Sequence, residues 1–487
     1  MTPHNRILIP CAICLLFVTG CTVGPDFVRP EPPKLEQYTG GTKPGPTLAA
    51  EGQAQHFLEG ADVVSGWWRL FNSTKLDTLI KEALTRNPGL QAAQASLRQS
   101  QDNLRAGYGV FYPQVDAGFD ATRQKFSQTR FGGSSASSIF NLYTLSATVS
   151  YALDIFGGER RAVEGLQAQV DFQRYTLDGT YLALIGNIVT TAIARAAYQE
   201  EIRATAQIID LEKEQIRITD LQYQAGTVPY SNVLTLRSQL SATEATLPPL
   251  RQRVSQADHL LSALSGYAPS EWAPPQIDMA DLNLPVDLPV SLPSKLVRQR
   301  PDILAAEAQL HSASAEIGVA TAALFPSFTL NGSYGAENRS FDSLFKNASS
   351  IWSLGANVTS PLFHGGTLRA RQSAAIQGYN QYLADYRQTV LSAFVQVADT
   401  LRALEHDAET LDAQSRAVAS AENALKLTQA NYEAGLVNYV QVLIADNLYY
   451  QAKIGYLQAL AQRLQDTVAL FVALGGGWWN AETPGTS

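Results

Sequence analysis

The sequence predicts a mainly α-helical protomer, internally duplicated, in which very long helices carry four membrane-type β-strands. Three observations predict it. Landmarks recur in one order just over 200 residues apart. Two stretches, Gln114 to Val228 and Leu362 to Thr483, contain no proline. Four segments alternate apolar and polar residues, the period of a strand with two unlike faces.

The duplication rests on four landmarks. Asn87-Pro88-Gly89-Leu90-Gln91-Ala92-Ala93 matches Arg300-Pro301-Asp302-Ile303-Leu304-Ala305-Ala306, and VFYPQVDAGFD from Val110 matches ALFPSFTLNGSYG from Ala323. Pro88 to Pro113 spans 25 residues, as does Pro301 to Pro326. The pairs Gly157-Gly158 and Gly365-Gly366 follow at an offset of 208, and LQYQAGTVPYSNVLTL from Leu221 meets ANYEAGLVNYVQVLIA from Ala430 at 209. Chance likeness between Ala/Gln-rich helices explains one such match, not four in register. The chain therefore divides into a secretory signal (1–20), an anchor and extended segment (21–72), a first repeat (73–265), a proline-rich connector (266–293), a second repeat (294–475) and a tail (476–487).

Each repeat opens with a helix, over 74–109 and 294–323. Two strands follow, about 114–126 and 138–154 in the first repeat, about 327–337 and 349–362 in the second. The glycine pair then opens a helix over 158–224 and 366–433, and an Ala-Gly break leads to a last helix over 229–264 and 437–474. Proline breaks helix interiors, so its absence permits such lengths, while Pro248-Pro249 predicts a break or kink in 229–264. A helix of 65–70 residues is about 100 Å long. No compact domain of this size contains it, which predicts coiled-coil-like packing in an assembly. Stretches such as LALIGNIVTTAIARAAY from Leu182 are alanine-rich and suit close helix approach.

The strands decide the solvent. Val115, Ala117, Phe119 and Ala121 alternate with polar residues, as do the odd positions from Ile139 to Leu153; Phe328, Leu330 and Tyr334, then Trp352, Leu354, Ala356 and Val358, repeat the pattern. The polar face is Ser/Thr/Asn/Gly with a few Asp, like a wet lumen, and the apolar face carries aromatics near its ends, like the girdle of an outer-membrane barrel. The loops from Gln128 and Arg339, rich in Gly, Ser and Asn, would face the outside. Four strands cannot close a barrel, and lipid does not tolerate open edges, so the chain must oligomerise. A trimer would form a 12-stranded β-barrel continued by a 12-helix α-barrel; two or four copies satisfy the same argument. Gly157, Gly158, Gly365 and Gly366 are then the strand-to-helix hinges, where glycine supplies freedom and close approach.

The N-terminus has one arginine, an apolar run from Ile7 to Val18, then Thr19-Gly20-Cys21, a secretory signal. Small residues before cysteine form a lipobox, which makes Cys21 the lipidated first residue of the mature chain and places Cys11 and Cys14 in the removed segment. No cysteine chemistry or metal site remains. Net charge is −8, only ten lysines are present and there is no basic run, which excludes a nucleic-acid partner. No eighteen uninterrupted apolar residues follow the N-terminus, so no transmembrane helix is expected. His4, His56, His259, His311, His364 and His406 are scattered without ligand spacing, and no nucleophile, phosphate-loop or zinc motif occurs. An enzyme is not expected, and no cofactor beyond the lipid on Cys21.

These stretches resemble the outer-membrane factor (TolC-like) family of tripartite efflux pumps, in its NodT-like lipoprotein branch. The likeness lies in VTGC at Val18–Cys21, WWRLFNSTKLDTLIKEALTRNPGLQAA from Trp67, LPSKLVRQRPDILAAEAQLHSASAEIGVATAALFPSFTL from Leu292, YEAGLVNYVQVL from Tyr432 and ALGGGWW from Ala473. The resemblance implies a homotrimer in the outer membrane of a Gram-negative cell, extending into the periplasm. It implies a passive gated duct that meets a periplasmic adaptor, itself joined to an inner-membrane transporter. The lipobox favours a pump of the resistance-nodulation-division (RND) type carrying small molecules such as drugs; type I protein secretion and metal efflux are the alternatives.

The same resemblance implies a constriction after the Tyr-x-x-Gly turn, matched here by Tyr432 and Gly435. Tyr432, Asn438, Gln441 and Asp446 are the aperture candidates. The usual acidic positions hold Ile444 and Gln441. Asp446 lies two residues on, about 200° around the helix, and reads most simply as a solvated helix residue. Cation binding and pH sensitivity at the aperture should then be weak.

Overall fold

The protein, seen here as a computed structural model, is described over residues 22–40, 45–50, 53–126 and 138–480. Cys21, the secretory segment, residues 127–137 of the first hairpin loop and the tail from 481 lie outside the described residues.

Strand β1 (His56–Glu59) precedes helices α1 (Thr74–Arg86) and α2 (Pro88–Gly107), strands β2 (Gln114–Phe126) and β3 (Ser138–Leu153), and helices α3 (Gly158–Gln224), α4 (Tyr230–Glu244) and α5 (Leu247–Leu264). Strand β4 (Asp287–Val290) and helix α6 (Pro293–Gln299) lead to α7 (Pro301–Ala322), β5 (Ser327–Asn338), β6 (Ser350–Thr359), α8 (Thr367–Glu433) and α9 (Tyr439–Ala473). Helices α3 and α8 each contain 67 residues.

Three expected helices are broken once each, always at proline. The span 74–109 divides at Asn87 and the span 294–323 at Arg300, both extended residues with ψ of 120° and 126°. A following proline disfavours the helical conformation at the residue before it and is itself at home as a first helical residue. The span 229–264 breaks at Ala245-Thr246, so Pro248 and Pro249 fall in the opening turn of α5. The pair β1 and β4, parallel, was not expected; each strand has only four residues. Helix α3 also contains one window long and apolar enough by composition to cross a membrane, 44% buried inside the protein. Alternating small polar residues hid it from a search for uninterrupted runs.

The chain forms two compact units. The first comprises residues up to 30, 96–173 and 305–386. Its antiparallel sheet runs β2-β3-β5-β6. Register sets apolar against apolar, Leu153 opposite Phe328 and Tyr151 opposite Leu330. One face bears Val115, Phe119, Tyr334, Trp352 and Leu354, all exposed. Large exposed apolar faces of this kind mark contact with lipid or protein.

Below the sheet, the Asp154 carboxylate accepts the Glu159 and Arg160 amides at 3.1 and 3.0 Å, capping α3. Gly157 has φ +79°, and a Cβ there would lie 2.7 Å from Thr22. The N-terminal segment is pinned here: the Val23 amide donates to the Phe156 carbonyl at 3.0 Å, Arg161 reaches Asp26 at 2.7 Å, and Phe27 stacks on His311. At the second hinge Gly365 and Gly366 have φ +57° and +84°, with open space around both. Close approach therefore applies only at the first hinge, backbone freedom at both.

The second unit comprises residues 31–95, 174–304 and 387 onward. Trp67, fully buried, stacks on Phe471 with centroids 5.1 Å apart, above Leu76, Leu79 and Ile80. The unit also buries a polar cluster. Arg463, 1% exposed, donates to Gln55 Oε1 at 3.0 Å, Thr47 Oγ1 at 3.2 Å and the Gln53 carbonyl at 3.2 Å. Gln55 Nε2 in turn donates to the Pro285 carbonyl and Thr467 Oγ1, both at 3.0 Å.

Candidate functional site: the paired helix tips

Helices α3 and α8 end in the same way. The Thr227 amide donates to the Gln222 carbonyl at 2.9 Å, and the Leu436 amide to the Asn431 carbonyl at 2.8 Å. The glycine between, Gly226 or Gly435, has φ +73° or +72°. This six-to-one closure through a left-handed residue is the Schellman motif, and glycine accepts it without a Cβ penalty. The two tips are thus built alike, and each sets a tyrosine before its turn against one after it. Tyr223 and Tyr230 lie 5.0 Å apart, Tyr432 and Tyr439 5.4 Å.

Their surroundings differ. Tyr230 is exposed, whereas Tyr439 is buried with Leu236, Leu425, Val442 and Ala445, and Tyr432 packs on that cluster. The Tyr432 hydroxyl donates to Gln222 Oε1 at 2.6 Å, tying one tip to the other. Asn438 caps α9 by accepting the Gln441 amide at 3.4 Å. Gln441 is exposed and lines an open groove between α8 and α9 with Ile444, Leu448 and Gln451. Among the four candidates, then, Tyr432 and Asn438 hold the tip together, and Gln441 faces the groove.

Asp446 does neither, and it is not a solvated helix residue. It is half-buried, on the side of α9 that packs against α3. Burial, and then the carboxylate of Glu212, push its pKa up to about 6. Glu212, almost fully buried, accepts the Thr243 hydroxyl at 2.9 Å through one oxygen, and its own pKa is raised by burial. The Tyr439 hydroxyl is likewise held above its usual range, by burial and by Asp446. The sequence reading missed Glu212, Thr243 and Gln222, which come from other helices, and Tyr439. Only Tyr439 had a signal, since it stands where Tyr230 stands in the first repeat.

This cluster predicts a pH response opposite to the weak one expected from the sequence. A carboxyl whose folded pKa is raised stabilises the fold while protonated and loses that contribution as pH rises through the folded value. For Asp446 the window runs from about 4 to about 6, and the loss is on the order of 1–3 kcal/mol of tip packing. Single-channel conductance in planar bilayers should therefore rise between about pH 4 and 6.5, and Asp446→Asn should flatten that rise. A wild-type conductance flat across this range would contradict it.

Comparisons with known proteins agree with this architecture. The pattern of the outer membrane efflux protein family matches residues 79–267 and 292–476. The pyoverdine export outer membrane protein OpmQ of Pseudomonas aeruginosa is 30% identical over 453 residues, 90% of this chain and 94% of that one. Nodulation protein T of Rhizobium leguminosarum bv. viciae is 29% identical over 96% of this chain and 93% of its own. Relatives described as a toluene efflux pump outer membrane protein of Pseudomonas putida, a cation efflux system protein of Escherichia coli and a probable outer membrane lipoprotein of Salmonella typhimurium are each 27% identical. The solved outer-membrane channel OprN superposes with a TM-score of 0.86 at 27% identity, covering 94% of this chain and all of that one. Long helices joined to membrane-type hairpins, together with these likenesses, define an outer-membrane efflux channel, a duct and not an enzyme. The chain belongs to the outer membrane efflux protein family, and its place is the outer membrane.

Proposed function

We propose that the chain is the outer-membrane duct of a tripartite efflux system, taking small molecules of the drug type from an inner-membrane RND-type pump and a periplasmic adaptor. The observation that carries this reading is end-to-end likeness to exporters of small molecules, pyoverdine and toluene among them. The repeats 73–265 and 294–475 are one unit used twice, and three copies close the barrel that four strands leave open. Gly157, Gly158, Gly365 and Gly366 turn each hairpin into its long helix. Tyr432, Asn438, Gln441 and Asp446 belong to the periplasmic aperture. Cys21 carries the lipid, and the tight seat of Thr22 on Gly157 supports this, since it delivers the anchor to the foot of a membrane strand. Metal efflux is the second reading, favoured by the likeness to a cation efflux protein.

Deleting the gene should sensitise cells to small toxic organic molecules, and the wild-type gene should restore resistance. Sensitisation to metal salts alone would transfer the proposal to the second reading. Cys21→Ala should abolish labelling with radioactive palmitate.

A further inference from the structure

The two faces of the four-stranded sheet differ in the sign of their charge. Pairing is regular along every strand, so opposed residues share a face. Asp116 stands opposite Thr148, and Asp120 and Glu337 both stand opposite Thr144, which places all the strand acids on the polar face. Arg123 and Lys125 stand opposite Asn141 and Ile139, at the loop end of the apolar row Val115-Ala117-Phe119-Ala121. The strands contain no other charged residue. Both bases are exposed, and Arg123 reaches Asn141 at 3.5 Å. Val115 and Lys125 are ten residues apart, which is about 34 Å of strand. At a tilt of about 40° this rises roughly 26 Å, close to the height of a barrel's apolar band.

The loop between β5 and β6 folds onto this apolar face instead of projecting into water. Phe341 meets Phe119 and Tyr143 edge-on, with centroids 6.2 and 5.8 Å away, and Leu344 is fully buried. Asn338 Nδ2 donates to Ser349 Oγ at 2.8 Å, and that hydroxyl donates to the Ser343 carbonyl at 2.7 Å, closing the loop. Phe341 and Phe345 are nonetheless 52% and 72% exposed. Between loop and sheet lies a cleft of about 370 Å³, lined by Ala117, Leu145, Ala147, Tyr334, Phe345 and Lys346 among others. The loop's other charges are Asp342, which is exposed, and Arg339, which stacks 4.3 Å over Phe140 on the polar face.

We infer that this face binds an acylated, phosphorylated glycolipid of the outer leaflet, with one acyl chain in the cleft and phosphate against Lys346, Arg123 and Lys125. The site rests on the duct reading above, with the hairpin loops outside the cell, and adds a ligand to it. The cleft is largely apolar, its volume lies in the range of small-ligand clefts, roughly 300–1,000 Å³, and the short side chains of Ala117 and Ala147 let methylenes approach the strands. Two phenylalanines exposed on a folded loop are stabilised by lipid and not by water. The bases stand where an anionic head-group layer begins, and arginine's planar fork matches phosphate.

Binding of diphosphoryl lipid A to the full-length protein tests this, read by native mass spectrometry in mild detergent. Wild type should retain the lipid through delipidating washes and bind it again on titration. Dephosphorylated lipid A should bind far more weakly, a comparison that needs no variant. Arg123→Gln, Lys125→Gln and Lys346→Gln together should weaken diphosphoryl lipid A on the order of 100-fold, about fivefold for each base near the head groups. Ala147→Phe, which fills the cleft and leaves the bases in place, should weaken it as well. Equal binding of the two lipids by wild type, or of diphosphoryl lipid A by wild type and the triple variant, would overturn the site. Unchanged binding by Ala147→Phe would overturn the seating of the acyl chain. Ser340→Cys, at the outer end of β5, should take up a membrane-impermeant maleimide on intact cells. Labelling without selective lipid binding would overturn the site and leave the duct standing; a residue 340 left unlabelled would overturn the outward placement on which both rest.

Discussion

Arg463→Ala should cost the folded protein roughly 3–5 kcal/mol, the range for removing one partner from a buried charged network. The arginine is fully buried and gives three hydrogen bonds to residues 47–55. It also lies near the Asp407 carboxyl. Burial, and then neighbouring Asp466, push the Asp407 pKa up to about 7, with Arg463 pulling the other way. Without the guanidinium, Gln55 Oε1 and Thr47 Oγ1 lose a donor, and the Asp407 carboxyl loses a neighbouring cation. The thermal unfolding midpoint in detergent should fall by several degrees, and Asp407→Asn in the same chain should restore part of it. The sign with pH follows from the raised pKa: the Asp407 contribution is present below about pH 4 and is lost as pH rises through about 7. An Arg463→Ala midpoint equal to wild type, or one lowered further by Asp407→Asn, would refute this account.

Gly335→Val should abolish the folded membrane form, while Gly355→Val should leave it intact. Both glycines lie in the four-stranded sheet. A Cβ at Gly335 would stand 2.2 Å from the Leu145 carbonyl oxygen and 2.8 Å from the Ser146 Cα, both backbone atoms of the neighbouring strand. Backbone cannot yield as a side chain does, so relief requires β3 and β5 to separate. Overpacking of this kind costs about 3 kcal/mol or more, and parted strands leave polar backbone groups unpaired in lipid. At Gly355 the added carbon meets nothing within 4 Å. Heat-modifiable folded species on semi-native gels would read the difference; equal amounts for the two variants would show that the β3–β5 contact is not that tight.

Such contrasts mark the limit of what could be read in the residues alone. The alternation around Phe119, Tyr151 and Trp352 marked strands, and the proline-free runs marked helices of 67 residues. Those signals are local: side-chain direction repeats every two residues in a strand, and proline acts on its own turn. Even the misreadings were local, since Pro88 and Pro301 stood in plain view as helix starts. The candidate site was half legible. Tyr432 and Gly435 stood out because their turn is repeated, and a Schellman closure has a short signature.

The sequence by itself determined the elements, their order, the glycine hinges and the two-faced strands, because each follows from periodicity or turn chemistry within a few residues. Only the tertiary structure decided that Asp446 turns inward to Glu212, that Arg463 clasps Gln55, and that Phe156 meets Phe325 while His364 is left bare. These partners lie from 169 to 408 positions apart along the chain. A side chain's charge state and burial depend on which distant helix packs against it, and no local pattern encodes that choice.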